Sequence, residues 1–249
     1  MVILKLPNEI EKARASNRIV AEVLSKLREK IKPGVTTREL NKLAEEVTEK
    51  RGAKPAFKGY RGFPYSLCTS VNDQVVHGMP SARVLVEGDI IGIDFGVYHH
   101  GFFGDATITL PVGSVNEKAL KLIQVTEQSL YAAIEQVRAG NRLGDISAAV
   151  QGTVEVAGFS VVRDYVGHGV GKNLHEDPQI PNYGKKGRGV ELKTGMILAI
   201  EPMVNEGSFK VRVLADGWTV VTEDGSLSAH FEHSVAITDN GPDILSKLN

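Results

Sequence analysis

Four carboxylates and one histidine sit inside or beside apolar stretches that read as strands. Asp94 lies in Ile90-Ile91-Gly92-Ile93-Asp94-Phe95 and Asp105 in Gly104-Asp105-Ala106-Thr107-Ile108. His168 follows Tyr165-Val166-Gly167, Glu201 closes Met196-Ile197-Leu198-Ala199-Ile200, and Glu232 precedes His233-Ser234-Val235. A carboxylate in an apolar strand is costly unless its charge is answered. Four gathered together repel one another, and some are forced to stay protonated. Two divalent cations would cancel the four charges. An oxygen-rich set with one imidazole suits Mn, Fe(II), Co or Zn better than a thiolate-loving metal. Any one of the five, taken singly, fits an exposed strand end; the set of five does not.

The spacing of the first two carries a conditional register. If the connection after Ile93 turns on His99 and His100, Asp94 pairs directly with Asp105. Directly opposed residues share a face, with Cβ atoms about 4.5–5.5 Å apart. That suits a two-metal site with ions about 3.5–4 Å apart. A longer loop or a bulge shifts the pairing.

With 249 residues, the chain can bury a substantial core. Its 29 basic and 30 acidic residues nearly balance, which gives no reason to expect nucleic acid or an acidic membrane as partner. Cys68 is alone, so no intrachain disulfide forms, in keeping with a reducing cytoplasm. Lys5 and Pro7 interrupt the short apolar run at the start, so no signal peptide is read there. No stretch reaches the roughly 18–20 apolar residues that span a bilayer. A cytoplasmic location is expected.

Helical stripes flank the strands. Pro7-Asn8-Glu9 opens a first helix with Asn8 as the expected N-cap, and Pro33-Gly34 ends it. Thr36 with Glu39 reads as a capping box for a second helix, which Gly52 stops. A third helix is expected over 116–139, broken by Gly140, and a fourth opens at Asp145 and stops at Gly158. Gly34 with Gly140, Glu39 with Asp145, and Gly52 with Gly158 share one offset of 106 positions. This pattern reads as an internal duplication in one catalytic domain, 1–249, with pseudo-repeat halves of about 1–110 and 111–249. The fold class implied is α+β: helices outside, and a curved antiparallel sheet holding metals at the shared centre.

The chain resembles the type I, bacterial-like methionine aminopeptidases over nearly its whole length. The resemblance rests on Cys68-Thr69-Ser70-Val71-Asn72, Val76-His77-Gly78-Met79-Pro80, Ile93-Asp94-Phe95-Gly96, Gly104-Asp105, Gly167-His168-Gly169-Val170-Gly171, His175-Glu176, Ile200-Glu201-Pro202 and Phe231-Glu232-His233. It implies the pita-bread fold, shared with prolidase, aminopeptidase P and creatinase. It implies that Asp94, Asp105, His168, Glu201 and Glu232 hold two divalent ions (Co, Mn, Fe(II) or Zn) around a bridging hydroxide. His77 would sit by the scissile nitrogen, His175 would hydrogen-bond the carbonyl oxygen, and Glu201 would also shuttle a proton. Tyr60, Phe63, Cys68 and Trp218 match positions lining the methionine pocket. The substrates implied are nascent polypeptides with a small second residue, and Met1-Val2 itself fits that rule. A monomer is expected; whether the protein docks on the ribosome stays open.

Several residues support a plainer reading. His99 and His100 fit a turn. His233 is expected to orient a neighbouring metal ligand. Gly167-His168-Gly169-Val170-Gly171-Lys172 fails both phosphate-loop spacings, and Cys68 reads as a packed small residue rather than a nucleophile. Three positions depart from the family pattern: Gly92 for Asn, Leu174 for an aromatic residue, and His230 for Gln. Two alternatives stand beside the main reading. A proline-directed peptidase of the same fold usually carries a separate N-terminal domain, which has no room before Asn8. A metal-free peptide-binding module would not be expected to retain all five ligands.

Overall fold

The helical stripes and apolar runs form four helices and a set of short strands, described for residues 2–247 in a computed structural model. The expectation for the Met1-Val2 terminus concerns Met1, which lies outside the described residues. The first half contains α1 (Pro7–Lys30), α2 (Thr37–Lys50), β1 (Lys54–Pro55), β2 (Cys68–Val71), β3 (Gln74–Val76), β4 (Ile90–His99) and β5 (Phe102–Pro111). The second begins with α3 (Glu117–Ile134), α4 (Leu143–Val156), β6 (Ser160–Val161), β7 (Gly167–Gly169) and β8 (Glu176–Ile180). It continues through β9 (Ile197–Ile200), β10 (Met203–Asn205), β11 (Val211–Val213), β12 (Val220–Thr222), β13 (Ser228–His230), β14 (Glu232–Thr238) and β15 (Gly241–Ile244).

Capping chemistry explains where the helices start. The Thr36 hydroxyl accepts the Glu39 N–H at 3.2 Å, and the Glu39 carboxylate accepts the Thr36 N–H at 2.7 Å, so the expected capping box forms. Asn116 caps α3 by accepting the Ala119 N–H at 2.8 Å. Two boundaries differ from expectation. The N-cap of α1 is Leu6, not Asn8: Pro7 occupies the first turn, where a missing N–H costs nothing, and Glu9 accepts the Leu6 N–H at 3.0 Å. Helix α3 ends at Ile134 rather than Ala139, because tight turns through 135–139 bring the Gly140 N–H to the Leu192 carbonyl.

The main sheet runs β1-β4-β5-β14-β9-β7-β8, with β2 added on β4 and β15 on β14, and all of its pairings are antiparallel. It is strongly curved, as the pita-bread expectation requires. One face is covered by helices. Ile91, Ile93, Phe95 and Val97 of β4 pack with Val20, Leu24 and Leu27 of α1 and Leu40 of α2. Leu198 and Ile200 of β9, with Val235 and Ile237 of β14, pack with Leu122 and Leu130 of α3 and Ile146 and Val150 of α4. Side chains alternate along a strand, so Asp94 and Glu232 point to the opposite, concave face.

The β4–β5 register corrects one expectation. His99 pairs with Phe102, so the two-residue turn is His100-Gly101, both with positive φ, rather than His99-His100. Asp94 therefore faces Thr107, and Asp105 faces Gly96. The slip is by two residues, which keeps both carboxylates on one face as diagonal neighbours.

Helix α1 also sets Asp105 in place. Gly104 lets the helix approach so closely that a Cβ there would lie 2.7 Å from the Asn17 nitrogen. The buried Asn17 carboxamide donates to the Ala13 carbonyl at 2.9 Å and accepts the Asp105 N–H at 3.2 Å. Asn17→Ala strands that buried N–H and is expected to cost about 1–3 kcal/mol. Urea denaturation checks this; an unchanged midpoint contradicts it.

Candidate metal centre and substrate pocket

Five adjacent strands each bring one donor to the concave face. Asp94 comes from β4, Asp105 from β5, Glu232 from β14, Glu201 from the residue after β9, and His168 from the middle of β7. Donor atoms of Asp105, His168 and Glu232 lie within 4.8 Å of one another. His168 Nε2 is 3.5 Å from Glu201 Oε1. The other ring nitrogen, Nδ1, is 2.9 Å from the Gly169 carbonyl. A carbonyl can only accept, so Nδ1 carries the proton and Nε2 presents its lone pair to the carboxylates. The Thr107 hydroxyl holds Glu232 Oε2 at 3.0 Å.

A cavity of about 140 Å³ opens beside this cluster. It is lined by all six residues expected to bind substrate: His77, His175, Tyr60, Phe63, Cys68 and Trp218. Phe63 meets the edge of Trp218 with ring centroids 5.2 Å apart, and Leu174 packs into the same apolar cluster as Phe63 and Cys68. Leu174 thus gives the cavity an aliphatic wall. The sequence reading missed Phe57 and Arg61, which also line the cavity. They lie in an irregular segment without periodicity; the only cue was aromatic residues crowded among glycines at 57–63.

The histidines divide by environment. His77 adopts positive φ (58°), and its ring meets Tyr165 edge-on at 5.7 Å. Burial, then His230, lowers its pKa to about 4. His175 lines the cavity and is exposed as a residue. Its Nδ1 is 2.8 Å from the Tyr60 hydroxyl, and its ring lies 4.3 Å from that of His168. Desolvation first, then His168, Arg61 and His77, holds its pKa down to about 3. His230 is buried with Nε2 3.5 Å from Glu201 Oε2. His233 does not support a metal ligand. It is one residue from Glu232, so its side chain falls on the helix side of the sheet. There it contacts the Ser246 hydroxyl at 2.8 Å and the Tyr131 hydroxyl at 3.4 Å, beside a larger cleft of about 300 Å³ between α1 and α3. The smaller cavity is the one that meets the donor cluster.

Residues 11–239 match the sequence profile of metallopeptidase family M24. The chain belongs to that family. Its relatives include a methionine aminopeptidase of Clostridium perfringens, 56% identical over 100% of both chains. Methionine aminopeptidase 1 of Bacillus subtilis is 54% identical, again over 100% of each. The crystal structure of methionine aminopeptidase from Thermotoga maritima superposes with a TM-score of 0.98 at 51% identity, covering 100% of both. Prolidase from Pyrococcus furiosus shares the fold more distantly: its TM-score is 0.81 at 25% identity, and this chain covers 66% of it.

The chain's own electrostatics agree with an M24 metal centre. Asp94 Oδ1, Asp105 Oδ1 and Glu232 Oε1 are buried and have no hydrogen-bond partner. Burial pushes Asp94 up to about 6, against His230 and Thr107, which pull it down. Asp105, Glu201 and Glu232 are driven well above the carboxylate range by burial and then by neighbouring carboxylates. Orphaned oxygens and crowded charge are what divalent cations relieve, so the residues fit the group. Cys68, buried opposite Asp94, has its thiol pKa raised by the same burial and charge, which keeps it a neutral packing group.

These shifts set a pH dependence. An acid whose folded pKa is raised stabilises the fold below its unfolded value and loses that contribution as pH climbs through the folded value. The buried histidines oppose this trend, but their contribution fades as pH rises past their unfolded value of about 6.5. After chelation, the melting temperature should therefore fall as pH rises beyond the histidine range, and saturating Mn(II) should flatten the trend. A chelated protein that becomes more stable over this window contradicts the assignment.

Proposed function

We propose that this M24 metallo-aminopeptidase removes the N-terminal methionine from nascent polypeptides whose second residue is small. The observation that carries the proposal is a cluster of buried, unpartnered carboxylate oxygens opening directly into an apolar pocket walled by Phe63, Cys68, Leu174 and Trp218. Asp94, Asp105, His168, Glu201 and Glu232 would hold two divalent ions. When bound, these would lower the pKa of a water and polarise the scissile carbonyl. Co, Mn, Fe(II) and Zn all suit the donors, and availability would select among them.

The remaining chemistry falls to named side chains. The Tyr60 hydroxyl can donate to His175 Nδ1, which leaves His175 Nε2–H as a donor for the carbonyl oxygen as negative charge develops there. His77, neutral near pH 7, is assigned to the scissile nitrogen. Glu201, facing His168 through one oxygen and His230 through the other, is assigned to take a proton from water and return it to the leaving amine. The substrate's own amine would complete the site, restricting attack to a chain terminus.

We also read residues 1–249 as one catalytic domain of two repeated halves. Support comes from backbone bonds that recur between them. The Ala53 N–H meets the Thr48 carbonyl as that of Phe159 meets Val154, and Gly34 meets Leu85 as Gly140 meets Leu192. The two halves cover one sheet between them, which supports a monomer. Among the described residues no helix is long and apolar enough to cross a membrane; with a lone, buried Cys68, we assign the enzyme to the cytoplasm.

Release of methionine from Met-Ala-Ser by the Mn(II)- or Co(II)-loaded protein tests the activity. His77→Ala and Glu201→Ala should each lower kcat by about 10²–10⁴-fold. Faster cleavage of X-Pro peptides than of Met-Ala-Ser would replace this reading with a proline-directed one.

A further inference from the structure

The segment before α1 reaches across the molecule to the back of the substrate loop. Lys5 and Glu176 are both buried, each side chain 4% exposed, and they meet at 2.5 Å through Nζ and Oε2. Lys5 is itself fixed: Nζ also donates to the Ile3 carbonyl at 2.9 Å, and its backbone N–H donates to the Gly195 carbonyl at 2.7 Å. The other Glu176 oxygen accepts the Asn173 N–H at 3.1 Å, and the Asn173 carbonyl accepts the Gly171 N–H at 3.1 Å. The Val170–Glu176 loop therefore closes on a carboxylate whose charge is answered from the far end of the chain. The contact is close: a Cβ at Gly171 would lie 2.5 Å from Lys5 Cε and 2.9 Å from Glu176 Oε1.

This loop carries Leu174 and His175. Glu176 is paired with Gly169, at the point where the β7–β8 register shifts just after His168. The buried ion pair thus sits behind both imidazoles. A second link, Glu9 to Lys172 at 2.7 Å, ties the loop to the start of α1. Lys172 is 62% exposed, so that link contributes little. The buried pair differs: removing one partner leaves the other charged and unpaired.

We propose that Lys5 and Glu176 are a positioning pair: the N-terminal segment clasps the substrate loop and fixes where His175 meets the scissile carbonyl. This assignment rests on the aminopeptidase reading only for what His175 does there. Neither residue touches substrate; both act through the loop. A displaced imidazole should lower kcat by about 10- to 100-fold with little change in KM.

The test uses Lys5→Met, Glu176→Gln and the conservative Lys5→Arg in the full chain. Each is measured where it remains folded and Mn(II)-saturated by melting and metal content. Glu176→Gln keeps an acceptor for Asn173 and serves if Lys5→Met does not fold. The first readout is the His175 ring signal in proton–nitrogen NMR, followed beside that of the remote His233 on the metal-free protein. It should move in Lys5→Met and Glu176→Gln while His233 stays, and Lys5→Arg should restore it. The second is kcat on Met-Ala-Ser in wild-type and His175→Ala backgrounds. The loss caused by Lys5→Met should vanish once His175 is gone. A moved ring signal with no methionine release by wild type would remove the aminopeptidase reading and leave the clasp standing. Release by wild type with an unmoved signal, or a kcat loss that persists in the His175→Ala background, would overturn the clasp.

Discussion

Mutual repulsion of four crowded carboxylates, Asp105 and Glu232 buried and Asp94 and Glu201 nearly so, is the constraint on which the rest of the structure depends. Asp94, Asp105, Glu201 and Glu232 enter one pocket from adjacent strands, and three of them carry an oxygen with no hydrogen-bond partner. An apolar interior penalises this arrangement twice, through lost hydration and through like charge. The chain is pinned on both sides of the sheet, and the same oxygens would serve as ligands for divalent cations. What would destabilise the protein without metal is what would give it affinity for metal.

The pinning is visible around three of the five donors. Asn17 accepts the Asp105 N–H, Thr107 holds one Glu232 oxygen, and the Gly169 carbonyl fixes the His168 tautomer. Behind these contacts, the alternating side chains of β4, β9 and β14 are buried against the helices. Period-two alternation puts apolar packing on one side of a strand and charge on the other. Helix packing sets the strand positions, and the strand positions set the donor separations. A long-range pair, Lys5 with Glu176, extends this support to the loop that bears His175.

Much of this was legible in the chain. The five donors stood out because carboxylates are improbable inside apolar runs, and the Thr36–Glu39 box marked its helix start because that cap is purely local chemistry. What the sequence hid was relational. The β4–β5 turn sits one residue later than the pair of histidines suggested, because a two-residue turn with positive φ throughout is satisfied by His100-Gly101. His233 looked like a partner of Glu232 by adjacency, yet in a strand adjacency means opposite faces. Leu6 caps α1 through the reach of Glu9, which composition at Asn8 does not disclose. Phe57 and Arg61 lie in irregular chain, and the Lys5–Glu176 pair spans 171 positions of sequence. Local rules therefore located the chemistry, while register and tertiary pairing decided its geometry.

The central claim is that these donors form a single site for two cations. Titration of Mn(II) into the chelated protein, followed by electron paramagnetic resonance, tests it most directly. The account predicts two bound ions per chain, with the six-line signal of isolated Mn(II) fading as the second equivalent enters and the spins couple. Saturation at one ion, or two ions that keep independent spectra, would contradict it.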